Sequence, residues 1–203
     1  MKVFLIRHAE SKANIDNDIY NSTPNPEIEL TEKGVLQAQQ LAKRLKKRLE
    51  RENGSISILS SPYKRALQTA NEISEALQQK VETNELLIER EFGEALGYAT
   101  VVEYVANRPK QLSLYYKTGD LYYKPPQGES KLDVIKRGII LKKEIEDIDS
   151  EIIIIVSHQA TLKLFHNHVL RLLSLEEKDW SNCCCRVYNV VDKHWTFRSF
   201  DLV

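Results

Sequence analysis

The stretch FLIRHAESKAN, Phe4–Asn14, opens as a buried β-strand and turns within a few residues into a small polar loop. The apolar run Val3–Ile6 is stopped by Arg7 and His8. An arginine and a histidine at the carboxyl end of a short apolar strand are where an open α/β sheet places its ligand-binding groups.

Two further runs have the same character. EIIIIV, Glu151–Val156, and ISILSS, Ile56–Ser61, are short and rich in β-branched residues, as strands covered on both faces must be. Between them lie helical patterns. Thr31 can cap a helix carrying Val35, Ala38, Leu41, Ala42, Leu45 and Leu49, whose Lys and Arg residues form a solvated opposite face. A second helix is predicted from about Pro62 to Gln79, with Ser61 as cap and the proline at the first position. A third follows Ser130 with Leu132, Ile135, Ile139 and Ile145, and a fourth follows VSHQ with Leu162, Phe165, Val169 and Leu172. Strands alternating with such helices predict an α/β domain, a three-layer α/β/α sandwich around a mainly parallel sheet. RVYNVVDKHWTFRSF, Arg186–Phe200, reads as a hairpin turning at Asp192-Lys193.

The chain of 203 residues is 42% hydrophobic and 29% charged, enough for one domain spanning 1–203. Lys plus Arg equals Asp plus Glu at 29 each, so no global field draws the protein to nucleic acid or membrane, and any anion site must be built locally. The amino-terminal apolar run is too short for a signal-peptide core or a membrane span, which makes a cytoplasmic protein the expectation. The only cysteines, Cys183, Cys184 and Cys185, are consecutive; their spacing suits neither a disulfide framework nor a zinc site, and they read as apolar strand residues. Residues 93–128, with tyrosine pairs at 115–116 and 122–123 and weak periodicity, are expected to form a helix and a long loop lying as a lid over one sheet end.

Three strand-to-helix junctions carry polar groups of one kind: Arg7-His8, then Arg65 one turn into its helix, then Ser157-His158. Guanidinium forks suit phosphate oxygens, and the helix starts add N–H donors. RHAES with Asn14, SSPYKRALQTA, EREFG, PQGES and VSH stand in the order and approximate spacing found in the histidine phosphatase superfamily. The chain resembles its phosphoglycerate mutase-like branch from Lys2 to the terminal hairpin, and most closely the small broad-range phosphatases.

The resemblance implies a phosphoglycerate mutase-like fold and a metal-independent phosphatase that needs no cofactor. It makes His8 the nucleophile that becomes phosphohistidine, Arg7 and Arg65 the phosphoryl clamp, Asn14 and His158 further donors, and Glu89 the acid that protonates the leaving alcohol, with Glu91 a nearby rival. A neutral imidazole escapes the repulsion that a phosphate ester exerts on anionic nucleophiles, and the arginines stabilise the transferring oxygens. Two positions depart from the family pattern: Ala9 and Gln159 replace glycines, and Gln159 either reaches the substrate or points to solvent. Tyr20, the tyrosine pairs and Lys124 are candidates for the leaving-group side. The expected partner is a phosphorylated small molecule or phosphopeptide, with oligomeric state open. The alternatives are a cofactor-dependent phosphoglycerate mutase and an inactive phosphate-binding or scaffold protein.

Overall fold

A computed structural model describes residues 1–172 and 180–199. Six strands, β1 (Lys2–Arg7), β2 (Ile56–Ser60), β3 (Val81–Thr83), β4 (Ile152–Ser157), β5 (Cys185–Val191) and β6 (His194–Ser199), form one sheet in the order β3-β2-β4-β1-β5-β6. The helices are α1 (Lys12–Ile15), α2 (Glu32–Leu49), α3 (Lys64–Leu77), α4 (Val101–Ala106), α5 (Pro109–Thr118), α6 (Lys131–Glu146) and α7 (Gln159–Leu164). β1, β2, β3 and β4 run parallel, while β5 and β6 are antiparallel additions to the β1 edge.

The sheet separates two cores, which is why its central strands read as unbroken apolar runs. Phe4, Ile6, Ile58, Ile154 and Val156 face α2 and α3 through Leu41, Leu45, Ala66, Ala70 and Ile73. Val3, Leu5, Ile153 and Ile155 face the other way, onto Leu141, Ile145, Leu162 and Phe165. Residues alternate between the two because strand side chains have a period of two. The architecture is therefore the α/β/α sandwich that the sequence predicts, and the hairpin turns where expected, with Asp192 and Lys193 both at positive φ (50° and 61°). Phe200 lies outside the described residues.

Four local expectations need correction. Ser61-Pro62 does not start α3: Tyr63 is its N-cap, without a side-chain bond, and Ser61 Oγ accepts the Tyr63 N–H at 3.3 Å and meets a second partner described below. On α6 the buried stripe is Val134, Gly138, Leu141 and Ile145, whereas Ile139 is exposed, because the tandem apolar residues Ile139, Ile140 and Leu141 left the helix phase ambiguous. Only Cys185 belongs to a strand; Cys183 sits at φ 57° in the turn before β5 and donates its N–H to the carbonyls of Arg7 and His8. Finally, residues 93–128 hold two helices rather than one, α4 capped by Thr100 and α5 begun by Pro109, around a small core of Ala95, Tyr104, Val105 and Tyr123.

Two glycines hold the connections that matter for the site. At Gly34, in the first turn of α2, a Cβ would stand 1.9 Å from the Glu10 carbonyl oxygen, so only glycine lets the loop after His8 lie against this helix. That loop is further tied by Glu10 N–H to Gln37 and by Thr31 N–H to the Glu10 carbonyl. Gly93, at φ 52°, lies against the backbone of Pro126 and Gly128, closing the base of the 93–128 region.

Candidate active site

The strand register alone brings the site together. Arg7 stands opposite Ser157 in the β1–β4 ladder, and Ser60 opposite Val156 in the β2–β4 ladder. One residue further on, His8 N–H bonds the Ser157 carbonyl at 2.9 Å and Ser61 N–H bonds the Val156 carbonyl at 3.0 Å. Three chain segments leave the sheet side by side, carrying His8, Ser61 and His158 at one edge.

The His8 ring is held in one orientation and one tautomer. Nδ1 lies 2.7 Å from the carbonyl oxygen of Ala9, a contact that only a protonated Nδ1 makes, and Nε2 accepts from Arg65 Nε at 3.3 Å. Nε2 therefore carries no proton of its own, and its unshared pair accepts the Arg65 Nε–H. His8 is 4% exposed, and burial, with the positive charges of Arg65 and Arg7, pushes its pKa well below the usual imidazole value. Arg65 is equally buried; its Nη1 donates to the Asn25 carbonyl at 2.7 Å. Arg7 Nη1 donates to the Trp180 carbonyl at 2.6 Å.

These groups open onto a cavity of about 450 Å³ whose wall includes Arg7, His8, Asn14, Arg65, Glu89 and Gln159. Asn14 spends its amide oxygen on Ser11 N–H, Ser11 Oγ and Asn182 Nδ2, leaving its NH2 end for the cavity. Glu89 Oε1 accepts from Arg90 N–H, Thr161 N–H and Thr161 Oγ, and Oε2 accepts from Ala160 N–H. The carboxylate is thus pinned to the first turn of α7. Glu91 is not part of the wall; its N–H and carbonyl are engaged by Glu129.

His158 also stands off the wall, directly behind His8. Completely buried, it meets His8 edge-on at 5.1 Å between ring centroids and Tyr63 at the same distance. Its Nε2 is 2.8 Å from Ser61 Oγ, while Nδ1 has no hydrogen-bond partner among the described residues. Burial, then the charge of Arg65, lowers its pKa well below the ordinary value.

Of the two departures, Ala9 does not crowd the cavity: its methyl packs with Leu30 and Ala38. Gln159 takes the wall position rather than solvent. Tyr20 also lines the cavity, but the tyrosine pairs do not, and Lys124 pairs with Asp133 at 3.5 Å. Sequence reasoning missed Asn17, Asn25, Tyr98 and Lys163 on the wall, and Ser61 behind it. Asn17 and Asn25 sit in the aperiodic 15–27 segment, where nothing separates a wall residue from a turn residue. Tyr98 is legible only through Arg108, which stacks on Tyr98 and Tyr104 and donates to the Tyr98 hydroxyl at 2.8 Å. Among the described residues no three His, Cys, Asp or Glu side chains gather as metal ligands, and no helix is long and apolar enough to cross a membrane.

The lowered imidazoles fix a pH dependence. An unfolded histidine protonates near 6.5, whereas His8, His158 and His166 resist protonation in the fold, the last down to about 4. Below pH 6.5 the unfolded chain binds more protons, so stability present above that pH is lost as pH falls towards the folded values. His166 alone is expected to remove about 3 kcal/mol by pH 4. Chemical denaturation at a series of pH values checks this; a midpoint independent of pH between 7 and 4 would contradict it.

A model of the histidine phosphatase superfamily (branch 1) matches residues 3–202. A phosphoglycerate mutase-like protein of Arabidopsis thaliana is 30% identical over 183 residues, covering 81% of this chain and 56% of that protein. The chain spans little more than half the length of that relative. Among solved structures, the alpha-ribazole phosphatase of Shigella flexneri superposes with TM-score 0.76 at 24% identity, covering 98% of this chain and 96% of that one. A mycobacterial glucosyl-3-phosphoglycerate phosphatase in complex with VO3 gives 0.73 at 22%, covering 98% of each chain.

Proposed function

The chain belongs to branch 1 of the histidine phosphatase superfamily, and from that premise we propose that it is a metal-independent phosphomonoesterase working through a phosphohistidine on His8. The observation that carries the reading is the His8 ring itself, with Nδ1 committed to the Ala9 carbonyl and an unprotonated Nε2 turned towards Arg65 in the cavity.

Arg7 and Arg65 take the phosphoryl oxygens, and Asn14 adds an amide donor. Nε2 of His8 attacks phosphorus; the P–N bond forms as the bond to the ester oxygen breaks, and Glu89 gives its proton to that oxygen. The arginines carry the charge that the equatorial oxygens gain on the way. Water then attacks the phosphohistidine, Glu89 takes a proton back, and orthophosphate leaves His8 free. The buried, unpartnered Nδ1 of His158 is satisfied when a phosphate oxygen is drawn in against His8, which requires the Ser61 hydroxyl to donate to Nε2. Residues 93–128 act as the lid: Leu96, Tyr98 and Ala99 form the wall on that side, and Arg108 steadies Tyr98.

Hydrolysis of an aryl phosphate by chelator-treated protein tests the proposal. Activity is expected to survive chelation and to be inhibited competitively by orthovanadate, because cationic and amide donors supply the stabilisation that a metal gives elsewhere. Activity that disappears with the chelator and returns only with magnesium or zinc would refute it.

A further inference from the structure

At the opposite end of the sheet, where β1 begins rather than ends, the end of α2 and the residues after it enclose a groove of about 840 Å³ lined by Lys2, Arg44, Lys47, Arg48, Arg51 and two glutamates, Glu50 and Glu52. A second concavity of about 160 Å³ shares Lys2 and Arg48 with it and adds Arg198. Six cations from α2, β1, β6 and the turn after α2 thus converge, in a chain whose net charge is zero.

Ordinary surface pairing does not account for them. Some lysines elsewhere on the molecule meet carboxylates, as Lys12 and Lys64 do on Glu29 and Lys33 does on Glu10, while others such as Lys43 and Lys46 stand singly among the described residues. In the groove only Lys2 does so, with Glu52; among the described residues Arg44, Lys47, Arg48 and Arg51 make no ion pair. Arg44 and Arg48 are four positions apart on α2, a spacing at which like charges repel along a helix. The helix dipole favours cations in the last turn of α2, but it does not explain Lys2 and Arg198, which reach the same space from two strands.

We propose that this groove is a second anion site, separate from the catalytic cavity, that binds a polyphosphorylated small molecule. Several guanidinium forks around one concavity match a ligand carrying adjacent phosphates, each fork taking two oxygens. A single orthophosphate would satisfy only one or two of them. Among the described residues the groove has no aromatic lining on which bases stack, and none of the large exposed apolar residues borders it to enter a bilayer.

Calorimetric titration of the full chain with tripolyphosphate tests this, alongside two variants. The triple variant Arg44→Gln, Arg48→Gln, Arg51→Gln alters only exposed side chains, so it should keep its melting temperature and its hydrolysis of a small ester, while groove binding weakens about tenfold or more. The double variant Arg7→Gln, Arg65→Gln should retain groove binding. Because the readout is binding, loss of the phosphatase reading leaves this result standing. Binding unchanged in the triple variant, or lost only in the double variant, would assign tripolyphosphate to the catalytic cavity and overturn the proposal. So would groove-dependent binding of phosphatidylserine vesicles or duplex DNA in the absence of tripolyphosphate binding.

Discussion

Alanine at position 8 is expected to lower turnover by on the order of 10⁴-fold or more while leaving a cooperatively folded protein. The separation of the two effects follows from what the ring touches. Its hydrogen bonds are to the Ala9 carbonyl and to Arg65, and its edge meets His158; the apolar cores on either side of the sheet do not include it. Removing it deletes the proposed nucleophile and a buried polar group whose protonation the fold already resists. The melting temperature should therefore move little near neutral pH. Rapid mixing with a radiolabelled phosphate ester gives the second readout: label should stay on the intact chain in the parent protein, as an acid-labile adduct, and be absent from His8→Ala. Near-normal hydrolysis by a pure His8→Ala preparation would exclude the covalent route. Label that passes to a second alcohol in preference to water would instead identify a mutase.

The site was legible in the sequence to the extent that strand register determines it. Arg7, His8, Ser157 and His158 follow apolar runs that can only be central parallel strands, and parallel pairing in register puts their ends together. Arg65 follows because its helix must begin where β2 ends. The cavity's other walls come from segments with no period to read. Asn17, Tyr20 and Asn25 lie in short turns between α1 and α2, placed by individual bonds such as the Asn25 carbonyl to Arg65. Ser61 shows the limit from the other side. A serine before a proline is a good helix-start signal, yet here the hydroxyl meets a buried imidazole, and α3 begins without a side-chain cap. Residues 93–128 depart from the expected single helix for a similar reason, since α4 and α5 are short and bury their aromatic residues against each other rather than against the sheet.

Glu89 is where structure sharpens the question most, because its carboxylate already has a conformational task. Three hydrogen bonds from Ala160 and Thr161 attach it to the start of α7, whose N-cap is His158, and a fourth comes from Arg90 N–H. Loss of activity in Glu89→Gln could then come from displacement of α7 rather than from a missing proton donor, and the two causes differ in their dependence on the leaving group. A missing acid is expected to slow phosphorylation of His8 by alkyl phosphates, whose alkoxides leave poorly, by about 10²–10³-fold, and by aryl phosphates, whose phenolates leave unaided, far less. A displaced helix would impair both alike, since it disturbs Gln159 and the backing of His8 whatever ester is bound. The comparison must be made on the phosphorylation burst, because in the proposed mechanism the same carboxylate activates water in the later step and steady-state turnover mixes the two. Equal losses for both ester classes would leave Glu89 a positioning residue only. Glu91→Gln, off the cavity wall, is expected to leave both bursts intact; a leaving-group-dependent loss there would transfer the acid's role to Glu91.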